Sequence, residues 1–439
     1  MKNIISLVIL FVAPDILAIQ EITITRGYLD SIPIAINEFS GHNHADMKNA
    51  DNIVKVIKND LQNSAIFRPI SPAAFIENKT GITHKPLFAA WQQINTDLLL
   101  NGEVQKLDSG KLRVKFILWD TVLEKQLLSE TLELSETIWR RAAHKIADKI
   151  YQKLTGFEGY FDTRIVYVSE KGSYLKRIKR IALMDYDGEN HQYLTDGSTL
   201  VLTPRFSPDG KKILYLSYKN RIPQVFILDL STGSNSLVGN FPGMSFAPRF
   251  APDGKTALIS IAKNGTTHIH EINLNTKKKK QLTQGTRIFT SPSYSPDGKQ
   301  ILFQSDKDGP RQLYIMDRNG SNITKITNYG SYAEPTWSSN GYIAFTKISR
   351  DIGFTIGVMK HNVMSDSGNE RLIASGYLVE SPSWASNGRM IVFTKAIKSQ
   401  ANNTKGLSRI YTIDFTGHNE RIIPTPHDAS DPDWSKPRL

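Results

Sequence analysis

Apolar positions change period repeatedly between residues 21 and 154, and each change marks an element. Glu21-Ile22-Thr23-Ile24-Thr25 alternates as a strand does, and Ile32 to Asn37 gives a second strand. From Met47 to Ser64 the residues Ile53, Val54, Ile57 and Leu61 fall at helical spacing, with Asp46 placed to cap the helix. Leu87 to Thr96 reads as another helix and Asp97 to Glu103 as a strand. Leu112 to Trp119 and Gln126 to Leu134 make a hairpin about a turn near Leu123-Glu124. Ser135 to Leu154 sets Ile138, Ala142, Ile146 and Ile150 on one helical face, and Ser135 can cap it. The mixture predicts a small α/β domain over residues 19–156, joined to the rest of the chain by Gly156 to Gly159.

Beyond residue 160 the pattern becomes a repeat. Thr203-Pro204-Arg205-Phe206-Ser207-Pro208-Asp209-Gly210 returns with its proline at 248 and 292, in degraded form at 335 and 382, and truncated at Pro432-Asp433-Trp434-Ser435. The degraded copies carry Ser-Asn in place of Pro-Asp, and Lys398 to Gly406 is an insertion that lengthens one loop. In each unit Pro presets φ, Asp or Asn bonds its own backbone and Gly takes a positive φ, so the unit contains a hairpin turn. Short apolar or alternating segments follow, for example Ile213 to Tyr218, Gln224 to Asp229 and a tail of the type Gln281-Leu282-Thr283. A period in the forties with four strands per unit is that of propeller blades. The sixth unit has only its first strand, and Arg164 to Ser169, Arg180 to Asp185 and His191 to Thr195 supply the other three. The fold expected is therefore α+β in two domains, the α/β domain followed over residues 160–439 by a six-bladed β-propeller closed by pairing of its two ends. Closure of this kind removes the exposed edges of an open stack.

Cysteine is absent, which excludes disulfides, thiolate metal sites and a cysteine nucleophile. A net charge of +12 favours acidic partners or anionic surfaces, but the basic residues are scattered apart from Lys277-Lys278-Lys279-Lys280. That run falls in a turn between blade strands and reads as a solvated loop rather than a nucleic-acid patch. Lys2 followed by the apolar run Ile4 to Val12 and a small residue at Ala18 has the form of a secretory signal over residues 1–18. Nine apolar residues are too few to span a bilayer, and no later stretch is apolar enough to do so. An exported protein without a transmembrane segment in its mature chain is the reading that follows.

Enzymatic motifs are missing. No Gly-x-Ser-x-Gly elbow occurs, and His42-Asn43-His44 has the wrong spacing for a helical metal pair. His268 and His270 face one way on a strand far from the channel, with Glu271 on the other face. The aromatic residue after each Pro-x reads as core between blades rather than a stacking platform. No catalytic residue, cofactor or metal is assigned.

A surface remains. The first strand of each blade lies innermost, so residues just before each proline crowd one mouth of the channel. Leu200 and Val201, Met244, Ile288 and Phe289, Tyr332, and Leu378 and Val379 stand there, with Glu334, Glu380 and Asp431 as an acidic rim. Apolar anchors inside a polar rim suit a protein interface. Packing between blades is the competing reading, and side-chain burial separates the two.

The domain order, the Ile-Thr-Ile strand, the Ser31-Ile32-Pro33-Ile34-Ala35-Ile36 strand and the six Pro-x-aromatic units ending in Trp434-Ser435 together resemble the TolB family of the Tol-Pal system, along the whole chain. The resemblance implies a non-enzymatic periplasmic adaptor. Its propeller would bind the peptidoglycan-associated lipoprotein, and its mature N-terminal segment, here Ile19, Gln20, Glu21, Ile22, Thr23 and Ile24, would bind an inner-membrane protein of the TolA type. The role implied is outer-membrane integrity and invagination at division. The alternative is an exported propeller enzyme acting on saccharides or peptides in the channel.

Overall fold

The computed structural model of the protein describes residues 31–77, 81–173, 176–219, 221–361, 370–398 and 405–438. The signal segment, the strand expected at Glu21 to Thr25 and the segment Ile19 to Ile24 lie outside the described residues.

The first domain is a sheet with helices on both faces. Strand β1 (Ile32–Ile36) pairs in parallel with β3 (Phe67–Pro69) and β4 (Leu98–Lys106), while β2 (Ser40–Gly41) joins the far end of β4. The antiparallel strands β5 (Lys111–Asp120) and β6 (Lys125–Ser135) extend the sheet beyond β4. Strand alternation divides the apolar residues. Ile34, Ile36, Leu98 and Leu100 face the core shared with α1 (His44–Asn63) and α3 (Trp139–Thr155). Ala35 and Leu99 face Trp91 of the short helix α2 (Phe88–Gln93) on the other side.

Two expectations need correcting. Helix α1 starts earlier than Asp46, because Asn43 is its cap: Asn43 Oδ1 accepts the Asp46 amide at 2.9 Å, and Asp46 Oδ2 accepts from Asn43 Nδ2 at 2.9 Å. Asp46 sits in the first turn and uses its other oxygen to accept the Lys106 amide at 2.9 Å, tying the helix to β4. Ile138 does not join the face of Ala142, Ile146 and Ile150. Ser135 caps a separate 3-10 turn, Glu136–Ile138, which leaves Ile138 40% exposed as α3 begins.

The second domain is the propeller, with six four-stranded sheets among the described residues. Blades I to V start with the strands Val201–Phe206, Met244–Phe250, Phe289–Tyr294, Ser331–Trp337 and Leu378–Trp384. Blade VI joins the last strand, Asp428–Trp434, to Arg164–Lys171, Ile178–Asp185 and Gln192–Tyr193. Trp434 is in register with Ile165, Asp433 with Val166 and Ala429 with Ser169, so the chain's tail completes the sheet its earlier strands began. The first strands touch one another in sequence around the ring, which makes them the channel wall.

Turn chemistry explains why the degraded repeats survive. Gly210, Gly254 and Gly298 have φ of 67–68°, and Gly341 and Gly388 have 82° and 65°. Asp209 Oδ1 accepts from the Ser207 hydroxyl at 2.6 Å, and Asn340 Oδ1 accepts from the Ser338 hydroxyl at 2.5 Å, so Asn serves the turn as Asp does. The insertion after Lys398 lengthens one hairpin of blade V, which still closes with Lys398 opposite Lys405. Among the described residues, no helix is long and apolar enough to cross a membrane.

Candidate functional site: channel mouth and domain junction

Position relative to the repeated proline decides what each mouth residue does. Four residues before it, Leu200, Met244 and Ile288 are 40%, 48% and 43% exposed, and Leu378 is half-buried. One residue later the strand has alternated, and Val201, Phe289, Tyr332 and Val379 are all buried. Val201, Phe289 and Tyr332 therefore do not belong to an outward apolar ring: Phe289 packs on Phe303 and His268, and Tyr332 packs edge-on against Phe345. Tyr332 also donates to Glu370 at 2.8 Å. Both readings of these loops hold, each for one position. Met244 and Ile288 share a cleft of about 710 Å³ with Phe246, Thr290, Gln304 and Arg311.

The residue directly before each proline has a left-handed backbone in all six blades: Thr203, Ala247, Ser291, Glu334, Ser381 and Asp431 have φ between 48° and 57°. None is glycine, so each conformer costs on the order of 1 kcal/mol. The cost is offset by hydrogen bonds between blades. Each inner strand is bulged at this point, which removes backbone groups from the ladder. In four of the six blades the freed amide reaches the neighbouring blade: Ser381 donates to Glu334 at 2.7 Å, Glu334 to Gln304 Oε1 at 3.0 Å, Asp431 to the Thr394 hydroxyl at 3.1 Å and Thr203 to Asp431 at 3.4 Å.

Glu334 and Asp431 are consequently part of the channel wall and not of an outer rim. Burial pushes the Glu334 carboxyl above the usual carboxylate range, and the nearby Asp431 adds to the effect. Burial likewise raises Asp433, against Arg205 and the Phe206 amide it accepts at 2.8 Å. Glu380, two places before its proline, is half-buried on the same strand. The cavity between Thr203, Arg205, Arg249, Ser291 and Glu334 holds only about 50 Å³. A site that encloses a small organic ligand needs several hundred.

Away from the mouth, the domains meet over a buried polar triad. Asp60 of α1 accepts from His144 Nδ1 of α3 at 2.7 Å and from the Tyr186 hydroxyl of blade VI at 2.6 Å. His144 Nε2 has no partner among the described residues. His144, Asp185 and Asp187 bring ligand-type atoms within 4.8 Å of one another, but Arg140 donates to Asp187 at 2.5 Å and lies 3.8 Å from Asp185. The cation of this cluster is a guanidinium. Arg438, near the chain's end, bonds Asp162 and Asp185, and Arg141 of α3 shares Asp162.

Other histidines raised from the sequence have structural duties. His268 stacks on Phe289, His270 is buried, burial lowers the pKa of both, and His42 reaches Glu103 at 2.8 Å on the surface. The left-handed ring and the Asp60–His144–Tyr186 triad were not anticipated. Nothing in Thr, Ala, Ser or Glu before a proline signals positive φ, and the triad joins residues 126 positions apart.

Comparison with known proteins agrees with this architecture. The profile of the TolB amino-terminal domain matches residues 20–127 and that of the TolB beta propeller domain matches residues 151–438. The chain is 58% identical to the Tol-Pal system protein TolB of Rickettsia bellii (strain OSU 85-389) across 99% of both chains. It is 58% identical to that of Rickettsia massiliae (strain Mtu5) across 95% of both. The crystal structure of TolB from Acinetobacter baumannii superposes with a TM-score of 0.81 at 27% identity, covering 92% of this chain and 97% of that one. With both domains, their order and the whole length matched, the chain belongs to the TolB family of Tol-Pal system proteins.

Proposed function

We propose that the protein is a non-enzymatic periplasmic adaptor that binds the peptidoglycan-associated lipoprotein at the propeller mouth and a TolA-type inner-membrane protein through residues 19–24. The observation that carries the first half is the outward set four residues before the prolines. Leu200, Met244 and Ile288 come from three consecutive blades, Met244 as the first residue of its inner strand and the other two directly before theirs, with Leu378 and Glu380 on a fourth. A fixed apolar set with polar neighbours such as Arg311 and Asp306 is suited to a folded protein partner. The second half rests on family membership alone. Linking the two partners would serve outer-membrane integrity and invagination at division.

The small volume enclosed within the channel speaks against the alternative, an enzyme acting there on saccharides or peptides. Binding of the purified lipoprotein to the mature chain, followed by calorimetry, tests the reading. Met244→Asp with Ile288→Asp should lower affinity at least tenfold, and deletion of residues 19–24 should leave it unchanged while abolishing capture of the TolA-type protein. Undiminished lipoprotein binding by the double variant would refute the mouth as the contact.

A further inference from the structure

The lysine run at 277–280 is not an isolated loop. It lies in the turn and fourth strand of blade II, where Leu274 donates to the Lys255 carbonyl at 3.0 Å and Asn273 to the Lys278 carbonyl at 2.9 Å. This is the Asp-Gly end of the inner strands, opposite the mouth. Lys212 of blade I is close enough to Lys277 that, after burial, it is the next cause depressing that lysine's pKa. Lys212 in turn lines a cleft of about 500 Å³ with Lys436 of the C-terminal segment.

The apolar part of the cleft's lining comes from Phe250, Pro208, Pro252 and Pro437, beside Ser207, Asp209 and Asp253. Its two carboxylates are engaged by their own turns: Asp209 accepts the Lys211 amide at 3.1 Å and Asp253 the Lys255 amide at 2.8 Å, with Arg318 3.7 Å from Asp253. The surrounding lysines are different. Lys212 and Lys436 in the lining, with Lys255, Lys277 and Lys278 beyond it, are exposed, and among the described residues no carboxylate lies within ion-pairing distance of any of them; Lys280 instead donates to the Asn319 carbonyl of blade III at 3.3 Å.

We propose that this cleft between blades I and II binds an acidic, partly apolar polypeptide segment of a partner protein. Charge complementarity selects the sign of the ligand. Concavity selects a chain segment over a bilayer: apolar side chains of the segment would meet the prolines and Phe250 of the lining while its carboxylates meet the lysines. The same end of blades V and VI carries the first domain, whose linker places Phe157 under Arg389, and this prevents a flat surface from lying across the disc. The mouth stays free, so this segment and the partner proposed there can be bound together.

The test uses the mature full chain and a fluorescein-labelled twelve-residue peptide of repeating Glu-Leu-Asp, read by anisotropy at low and at moderate salt. Binding should weaken with salt, and Lys212→Glu with Lys436→Glu should weaken it more than tenfold. Lys277→Glu with Lys278→Glu should do so to a similar degree. A charge-matched control on the first domain, Lys48→Glu with Lys55→Glu, should change it less than twofold. Equal loss in the control would show that net charge alone acts, and would overturn the site. So would absence of peptide binding, or capture by phosphatidylglycerol vesicles in preference to the peptide. Urea midpoints of the variants should match the parent, which separates a lost site from a lost fold.

Discussion

His144 Nδ1 lies 2.7 Å from Asp60 Oδ2, and neither side chain has any exposed surface. The two residues belong to facing helices of the first domain, and through Tyr186 the same carboxylate holds the propeller. Burial opposes charge on His144, but Asp60, with Asp187 beyond it, outweighs that and holds its pKa above the ordinary histidine value. Burial raises Asp60 itself, in part countered by His144.

Replacing either partner takes the opposite charge away from a buried ionisable group. Asp60→Asn or His144→Gln should therefore cost about 3–5 kcal/mol in urea unfolding of the intact chain. A histidine with a raised folded pKa contributes stability that is complete below its unfolded value near 6.5 and is lost as pH rises through the folded value. The midpoint should fall with pH above 6.5 in the parent and fall less steeply in His144→Gln. Parallel slopes would contradict the pairing.

Asp148 of α3 makes a second titrating contact at the junction. Its oxygens accept the Phe161 and Asp162 amides at 2.7 and 3.0 Å, yet burial still raises its pKa to about 7. The folded state holds this proton more tightly than the unfolded chain, so stability should decline as pH rises from about 4 to 7, in the same direction as His144. Asp148→Asn keeps one acceptor and sets an amide N–H₂ against the other donor. It should be less stable than the parent at pH 5, with the gap closing by pH 8, as thermal unfolding at the two values would show.

Gly159 is required by this contact. A Cβ there would stand 2.2 Å from Asp148 Oδ1 and 2.5 Å from its Cα, a backbone atom that no rotamer change can move. Gly159→Ala should cost about 2 kcal/mol or more, whereas Gly110→Ala, where a Cβ would meet nothing within 4 Å but φ is 76°, should cost only about 1 kcal/mol. Differential scanning calorimetry of both variants would check the order.

The mouth gives a prediction in which neighbouring residues behave oppositely. Phe289→Ala removes a ring buried against Phe303 and should cost about 3–5 kcal/mol. Ile288→Asp changes an exposed side chain and should move the urea midpoint little while reducing lipoprotein binding. Comparable destabilisation by both would mean that the alternation does not hold at the mouth.

Closure of the ring makes equivalent tryptophans unequal. Trp434 is buried, donates to the Thr163 hydroxyl at 2.7 Å and packs edge-on against Tyr160 at the domain junction. Trp337, at the same place in blade IV, is half-buried and its Nε1 has no partner among the described residues. Trp434→Ala should cost about 3–5 kcal/mol and Trp337→Ala clearly less.

Much of this architecture was legible in the chain because its signals are local. Pro-Asp-Gly and Ser-Asn-Gly specify a turn by φ and by a side chain bonding its own backbone, so the number of blades and their strands follow from counting. The closure at Trp434 followed too, since a first strand without successors and three strands without a first can satisfy each other's backbone. Local signals failed where the partner is remote. Asp46 looked like a cap because only neighbours were visible, and its bond to Lys106 lies 60 residues away.

The sequence by itself determined the repeat, the two-domain order and the apolar set around one mouth, for these depend on periods of two, of 3.6 and of some forty residues. Tertiary structure alone decided which member of each mouth pair faces out, because a one-residue step along a strand reverses the side chain. It also decided that Glu334 and Asp431 line the channel and that Asp60, His144 and Tyr186 meet. Those outcomes depend on a bulge repeated around a closed ring and on two domains brought into contact, and neither leaves a mark on residues adjacent in the chain.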